Sequence, residues 1–139
     1  MGLFDFFNKK KHTLLEDIKI ASDWISAALN SSGYNADFTL ESFKEIDRFI
    51  SDNSSNGSPK GLLLEGTGKI LFAFGAYIGE VIIKNNHGCW ETNDNDPNGE
   101  INICVNKDGE KIFPSQKIIK RLKNGNEDSI YDYGFIILK

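Results

Sequence analysis

Glu80 is the side chain whose type and setting most suggest chemistry. It follows Ile70–Gly79, ten residues without a charge in the most apolar part of the chain. An ionised carboxylate in such surroundings is costly unless a cation pairs with it. We therefore predict that a later basic segment pairs with Glu80, and the candidate cations are Lys117, Lys120 and Arg121. Such a carboxylate is typical of acid–base or ligand-binding sites, although a structural ion pair gives the same pattern.

Two aromatic residues flank this carboxylate and extend the candidate site. Adding them gives the full set of residues predicted to bind a ligand or partner: Tyr77, Glu80, Trp90, Lys117, Lys120 and Arg121. An enzyme of this kind would use Glu80 in a small pocket beside the basic segment. The sequence positions no second carboxylate to work with it, so a glycosidase-type pair is not supported.

The segment Asp94–Gly99 resembles the first half of a calcium-binding loop. Oxygen-bearing side chains alternate at Asp94, Asp96 and Asn98, and a glycine occupies the sixth position. Val105 stands where the loop requires a bidentate glutamate. We predict weak calcium binding at most, and interpret the segment as an acidic turn.

Two further partial motifs support no cofactor. His87 and Cys89 supply only half of the four ligands that zinc normally takes. The run Gly66–Lys69 resembles part of a phosphate-binding loop, but Leu63 and Ile70 replace the glycine and the hydroxyl residue that such a loop needs. We therefore predict no metal, nucleotide or other cofactor.

The composition is that of a folded acidic domain. The chain has 139 residues, of which 40% are hydrophobic and 12% aromatic, and this fits one domain with its own core. A net charge of −4 disfavours nucleic-acid binding, which depends on neutralising phosphates. Cys89 and Cys104 form no CxxC pair, and we recognise neither a signal peptide nor an apolar run long enough to span a membrane. We expect a cytoplasmic protein with free thiols.

The first residues differ from the rest of the chain. Three phenylalanines lie within residues 2–7, and three lysines follow after Asn8. We predict a flexible N-terminal tail over residues 1–12, followed by a single domain over residues 13–139. An alternative is that residues 2–11 rest on an anionic membrane surface, which would make the protein peripheral to a membrane.

Three helices are predicted in the first part of the chain. Apolar residues at helical spacing indicate one from about Thr13 to Asn30, and Thr39 is the expected cap of a second. The apolar run Leu62–Ile83 predicts a buried third helix, although a buried strand over Lys69–Phe74 is the alternative. Gly75 and Gly79, four residues apart, would give this helix a face that another element approaches closely.

The second part of the chain predicts a small sheet and further helices. The expected strands are Cys89–Asn93, Glu100–Asn106 and Lys111–Phe113, the last two joined by a tight Asp108-Gly109 turn. A basic helix should follow from Pro114 to Lys123, and the final apolar segment suits either a helix or a strand. The predicted fold class is α+β: three N-terminal helices packed on a small antiparallel sheet of about three strands, with one or two C-terminal helices.

Several short motifs resemble one family. The sequences Gly75-Ala76-Tyr77-Ile78-Gly79-Glu80-Val81 and Gly88-Cys89-Trp90, with an ending that runs from Lys120-Arg121 through Asn124-Gly125 to Asp128-Ser129, are similar to a group of small bacterial proteins without an assigned activity. The resemblance extends from about Phe38 to Ile130. It implies a bacterial origin, and some domains of this kind resemble immunity proteins, which neutralise contact-delivered toxins.

Taken together, these features favour a non-enzymatic bacterial domain that binds another protein. An immunity-type inhibitor is one concrete form, because an acidic inhibitor suits a basic toxin. Two alternatives stay open: a small-molecule-binding or enzymatic domain that uses Glu80 with the basic helix, and a peripheral membrane protein.

Overall fold

A computed structural model describes residues 12–138 and shows a mixed α+β fold. The predicted tail over residues 1–12 lies outside the described residues except for His12, and the membrane-surface alternative over residues 2–11 lies wholly outside them, as does residue 139. Between these limits the elements follow one another in this order: α1 (Leu14–Ser31), α2 (Ser42–Asp52), β1 (Ser54–Ser55), β2 (Ser58–Pro59), α3 (Gly61–Leu64), α4 (Thr67–Asn85), β3 (Cys89–Glu91), β4 (Cys104–Lys107), β5 (Glu110–Ile112), α5 (Pro114–Asn124), a 3-10 turn (Gly125–Asp128) and α6 (Ile130–Leu138).

Helix α1 begins with a reciprocal cap. The Thr13 hydroxyl accepts a hydrogen bond from the Glu16 amide (3.2 Å), while the Glu16 carboxylate accepts one from the Thr13 amide (3.0 Å). These two bonds satisfy amides that a helix start leaves without partners. The apolar residues at helical spacing, Ile18, Ala21, Ile25 and Leu29, are all buried, so the predicted helix is confirmed.

Helix α4 is the centre of the molecule, and its residues 72–82 are all buried. The prediction of a buried helix is confirmed, and the strand alternative over residues 69–74 is wrong. The apolar run is not one helix, however, because Glu65 and Gly66 separate α3 from α4. Helices α1 and α5 form the most extensive packing contacts of α4.

The two interior glycines of α4 are close-approach sites, as predicted. A Cβ atom on Gly75 would overlap the Ser115 hydroxyl at the start of α5, and one on Gly79 would overlap the ring of Trp90 on β3. Glycine in a helix interior costs about 0.5–1 kcal/mol relative to alanine. The close packing of two separate elements against this helix offsets that cost.

The larger sheet has the antiparallel order β3–β4–β5. Asp108 (φ 55°) and Gly109 (φ 85°) both lie in the left-handed region, which is typical of the tight hairpin turn that was predicted. The second strand is shorter than predicted: Glu100–Ile103 lies outside it, and Ile101 is 46% exposed. Here the Asn102 amide bonds to the carbonyls of Asn98 and Gly99 in a turn instead of a ladder.

Register separates the two cysteines of this sheet. Cys89 pairs with Asn106 across the ladder, whereas Cys104 pairs with Glu91. Cys89 is exposed and Cys104 is buried, and both thiols are free. Burial raises the pKa of the Cys104 thiol.

A second, two-stranded sheet was not predicted. The polar run after α2 forms the hairpin β1–β2, whose turn residues Asn56 (φ 53°) and Gly57 (φ 80°) are left-handed. Within residues 12–138, four helices precede the three-stranded sheet instead of the predicted three. The α+β class is confirmed, while this arrangement of its parts is corrected.

The final apolar segment is a helix, α6, which settles the choice between helix and strand. Gly134 brings α6 close to α2, since a Cβ atom there would overlap the Phe43 ring. None of the helices within residues 12–138 is long and apolar enough to cross a lipid bilayer.

Candidate functional site

Glu80 is buried and paired. The residue is 7% exposed, and its two carboxylate oxygens accept hydrogen bonds from the Lys19 ammonium at 2.9 and 3.0 Å. The Trp90 indole N–H donates to the same carboxylate at 2.9 Å. Lys19 itself is more than half exposed, so the ion pair closes the outer end of a contact between α1, α4 and β3.

The predicted pairing of Glu80 with the basic helix is wrong. Lys117 binds Asp128 (2.9 Å) and Arg121 binds Asp47 (2.9 Å), while Lys120 is exposed. The geometry of α4 explains this outcome. Helix α5 packs on α4 at Gly75, and at 100° per residue Glu80 points about 140° away from that face.

Tyr77 also belongs to a separate contact. Its ring is fully buried, and its hydroxyl accepts a hydrogen bond from the Phe38 amide (2.8 Å) and bonds to the Ser42 hydroxyl (2.7 Å). Burial raises the pKa of Tyr77, and this tyrosine anchors the start of α2. Of the six predicted binding residues, the structure brings together only Glu80 and Trp90.

The pair Asp47–Arg121 forms a polar hub that sequence reasoning missed. Arg121 is 3% exposed, and Asp47 accepts hydrogen bonds from its Nε (2.9 Å), from the Ser129 hydroxyl (2.9 Å) and from the amides of Ile130 (2.9 Å) and Tyr131 (3.0 Å). Asp47 thereby caps α6 as well as pairing with a buried guanidinium. Its place on the polar side of an amphipathic helix gave no signal of either role.

Carboxylates gather where the loop before β4 meets the start of α1. We call this the acidic face and define it by Asp17, Asp94, Asp96 and Glu100, which line a pocket of about 140 Å³. No lysine or arginine is among the described residues that line it. Negative charge is therefore concentrated on one part of the surface.

The surroundings of Asp17, in the acidic face, disfavour its ionised form. Its Oδ1 atom is buried and has no hydrogen-bond partner among the described residues. Burial raises the pKa of Asp17; the charge of His12 opposes this rise, while the carboxylates of Glu100, Glu16 and Asp94 add to it. Ionised Asp17 thus gains from any cation that approaches.

The predicted calcium ligands are engaged within the protein. Asp94 accepts a hydrogen bond from the Leu14 amide (2.8 Å), and Asp96 accepts from the Asn98 amide (2.8 Å) and the Asn102 side chain (3.0 Å). These bonds fix the turn and its junction with α1. Across residues 12–138, no group of three or more His, Cys, Asp or Glu side chains is arranged to hold a metal ion.

His87 and Cys89, the half zinc site considered above, have different surroundings. The His87 ring bonds to the Asp108 carboxylate (2.6 Å), which ties the segment before β3 to the β4–β5 turn. The Cys89 side chain is exposed on β3.

Comparison with known proteins finds no matching family model, no matching curated protein and no matching solved structure. The motif resemblance to small bacterial proteins stays a prediction.

Proposed function

We propose that this protein is a non-enzymatic interaction domain that binds a basic partner protein through its acidic face. The observation that carries the proposal is the set of four carboxylates around one pocket, which His12 also lines and whose described lining residues include no lysine or arginine. The raised pKa of Asp17 agrees with this, because burial, with a smaller contribution from the neighbouring carboxylates, disfavours its charged form and a bound cation would favour it.

The hydrogen bonds within the acidic face leave acceptor sites for a partner. Asp94 uses its Oδ1 atom for the Leu14 amide, and Glu100 is exposed. Arginine and lysine side chains donate strongly to such carboxylates. Complementary charge of this kind accelerates encounter and selects among partners.

An apolar side chain borders the acidic face. Ile101 is 46% exposed and follows Glu100 directly in the chain. Protein interfaces commonly combine a charged rim with a few apolar anchors. Ile101 is the anchor that we assign to this surface.

An immunity-type inhibitor in a bacterial cytoplasm is the concrete form of this proposal. A basic nuclease toxin has the surface charge that the acidic face would recognise. In this form, binding by itself inhibits the toxin, and the inhibitor needs no catalytic residue.

The test compares the proteins captured from an extract of the source cells by immobilised full-length variants. The double variant Asp17→Asn/Glu100→Gln removes two charges from the acidic face. Neither side chain makes a hydrogen bond to another of the described residues, so the fold should persist. The matched control Asp23→Asn/Glu127→Gln removes two exposed charges elsewhere. We expect a basic protein that binds the wild type and the control at low salt, but not the acidic-face variant.

Simple ion exchange is distinguished by the control. Both double variants have the same net charge, so non-specific binding would decrease equally in both. Equal capture by all three proteins, or equal loss in both variants, contradicts the proposal. For the inhibitor form, a captured nuclease must also lose activity when an equimolar amount of the wild-type protein is added.

A further inference from the structure

A second polar feature lies beside the buried Asp47–Arg121 pair and shares no residue with the acidic face. It is a cleft of about 360 Å³ between the β1–β2 hairpin and the end of α5. We call it the Arg121 cleft. Its lining is largely hydroxyl, amide and cationic side chains: Ser51, Ser54, Ser55, Asn56, Arg121, Lys123, Asn124 and Asn126.

The guanidinium of Arg121 is only partly used by the protein. Nε donates to Asp47, and Nη2 donates to the Asp47 carbonyl (3.2 Å), the Ser51 hydroxyl (2.8 Å) and the Asn126 side chain (3.1 Å). Among the described residues, none accepts a hydrogen bond from Nη1. The side chain is 97% buried by its neighbours and lines the cleft, so its position is fixed and Nη1 is the guanidinium nitrogen with donors to spare.

The charge of Arg121 is shared rather than fully compensated. The Asp47 carboxylate accepts from the guanidinium at Nε, and it also accepts the Ser129 hydroxyl and two amides at the start of α6. Lys123, exposed at the rim, adds a second positive charge.

The hairpin packs against the end of helix α5. Gly57 lies over the last turn of α5, where a Cβ atom would be 3.2 Å from the Lys123 carbonyl oxygen. The hairpin residues Ser54–Gly57 thereby form one wall of the cleft. The left-handed φ of Gly57 (80°) lets the backbone take this position.

We propose that the Arg121 cleft binds a small oxyanion, the phosphate or carboxylate group of a soluble ligand. Nη1 of Arg121 donates to the anion from the floor, Lys123 attracts it from the rim, and the Ser55, Asn56 and Asn126 side chains supply neutral hydrogen bonds. Arginine presents paired N–H groups that fit both anions, and a fixed guanidinium loses little freedom on binding.

The test is an NMR titration of the full chain with potassium phosphate and, separately, potassium acetate at constant ionic strength. We expect saturable shifts in the amides of Ser55, Gly57 and Asn126. Lys123→Gln should weaken the affinity about threefold, since one exposed charge contributes a fraction of a kcal/mol. The control Lys120→Gln removes the same charge from α5 outside the cleft and should leave the affinity unchanged.

Two further variants address Arg121 itself. Arg121→Lys keeps a cation but removes Nη1, and should abolish saturation if the variant folds. Ser55→Trp fills the cleft from an exposed position without disturbing the Asp47–Arg121 pair, and should also abolish it. Saturation by only one of the two anions identifies the ligand group. The proposal is overturned if neither anion saturates, if Lys120→Gln weakens binding as much as Lys123→Gln does, or if Ser55→Trp binds like the wild type.

Discussion

The Trp90 ring lies directly against the backbone of α4 at Gly79, in the space where any other residue would have its Cβ atom. From this position its indole N–H reaches Glu80, the next residue of the helix, at 2.9 Å. Because Gly79 has no side chain, Trp90 can lie close enough to the helix to donate its hydrogen bond to Glu80. This relationship explains why a glycine stands in the most buried helix.

Gly79→Ala should destabilise the protein by about 2 kcal/mol. Overpacking typically costs 1–3 kcal/mol, and the better helix propensity of alanine returns less than 1 kcal/mol of it. Urea unfolding measures the loss. Gly68→Ala is the matched control in the same helix, because a Cβ atom there has no neighbour within 4 Å, and it should raise stability by about 0.5 kcal/mol. Equal effects of both changes would contradict the role given to Trp90.

A double-mutant cycle of Glu80→Gln and Lys19→Met should give a coupling energy below about 1 kcal/mol. Lys19 is more than half exposed, so water replaces much of the lost ion pair. The glutamine oxygen can still accept the Trp90 N–H, so the fold should persist. A coupling above 3 kcal/mol, measured by urea unfolding, would mean that the pair acts as a buried one.

Asp47→Asn should destabilise the protein by about 3–5 kcal/mol. The change leaves Arg121 as a buried charge without its counter-ion and weakens the cap of α6. Thermal or urea unfolding measures the effect. Asp23→Asn, at an exposed position of α1, is the control and should change stability by less than about 0.5 kcal/mol. A loss at Asp47 as small as that of the control would contradict the hub.

Tyr133 makes the stability of the fold decrease at alkaline pH. Burial, with the charge of Glu110, raises the pKa of Tyr133 to about 12, whereas a tyrosine in an unfolded chain ionises near pH 10. Between these values the unfolded chain releases the proton first, so stability falls as the pH rises. Tyr133→Phe should therefore lose less stability between pH 9 and 11 than the wild type. Tyrosine ionisation in the wild type and in the variant is compared by absorbance at 295 nm. If the tyrosine that the variant has lost ionises near pH 10 in the wild type, the prediction is contradicted.

The helices and the tight hairpin could be predicted because their signals are local. Thr13 with Glu16 marks a helix start, Asp108-Gly109 marks a turn, and Pro114 marks the start of α5. The loop before β4 could not be predicted in this way. Alternation at Ile101 and Ile103 suggested a strand, but side-chain and backbone bonds among Asp96, Asn98 and Asn102 hold a turn there.

The site was less predictable than the fold, because pairing depends on how helices are rotated against one another. The run of apolar residues before Glu80 marked it as a carboxylate that needs a partner if it is buried. It carried no information about which element faces it, and Lys19, 61 positions away, has nothing in its surroundings to mark it as the partner. The role of Asp47 could not be recognised for the same reason, because its four donors come from residues 74 to 84 positions later in the chain.

The different environments of the two cysteines provide a practical handle. Cys89 is exposed, while Cys104 is buried and the pKa of its thiol is raised. A maleimide dye should therefore attach to the native chain at Cys89 alone, without any engineered residue. Because β3 also presents Trp90 to Glu80, a fluorophore at Cys89 would report on the junction of α1, α4 and the sheet as a partner or an anion is added.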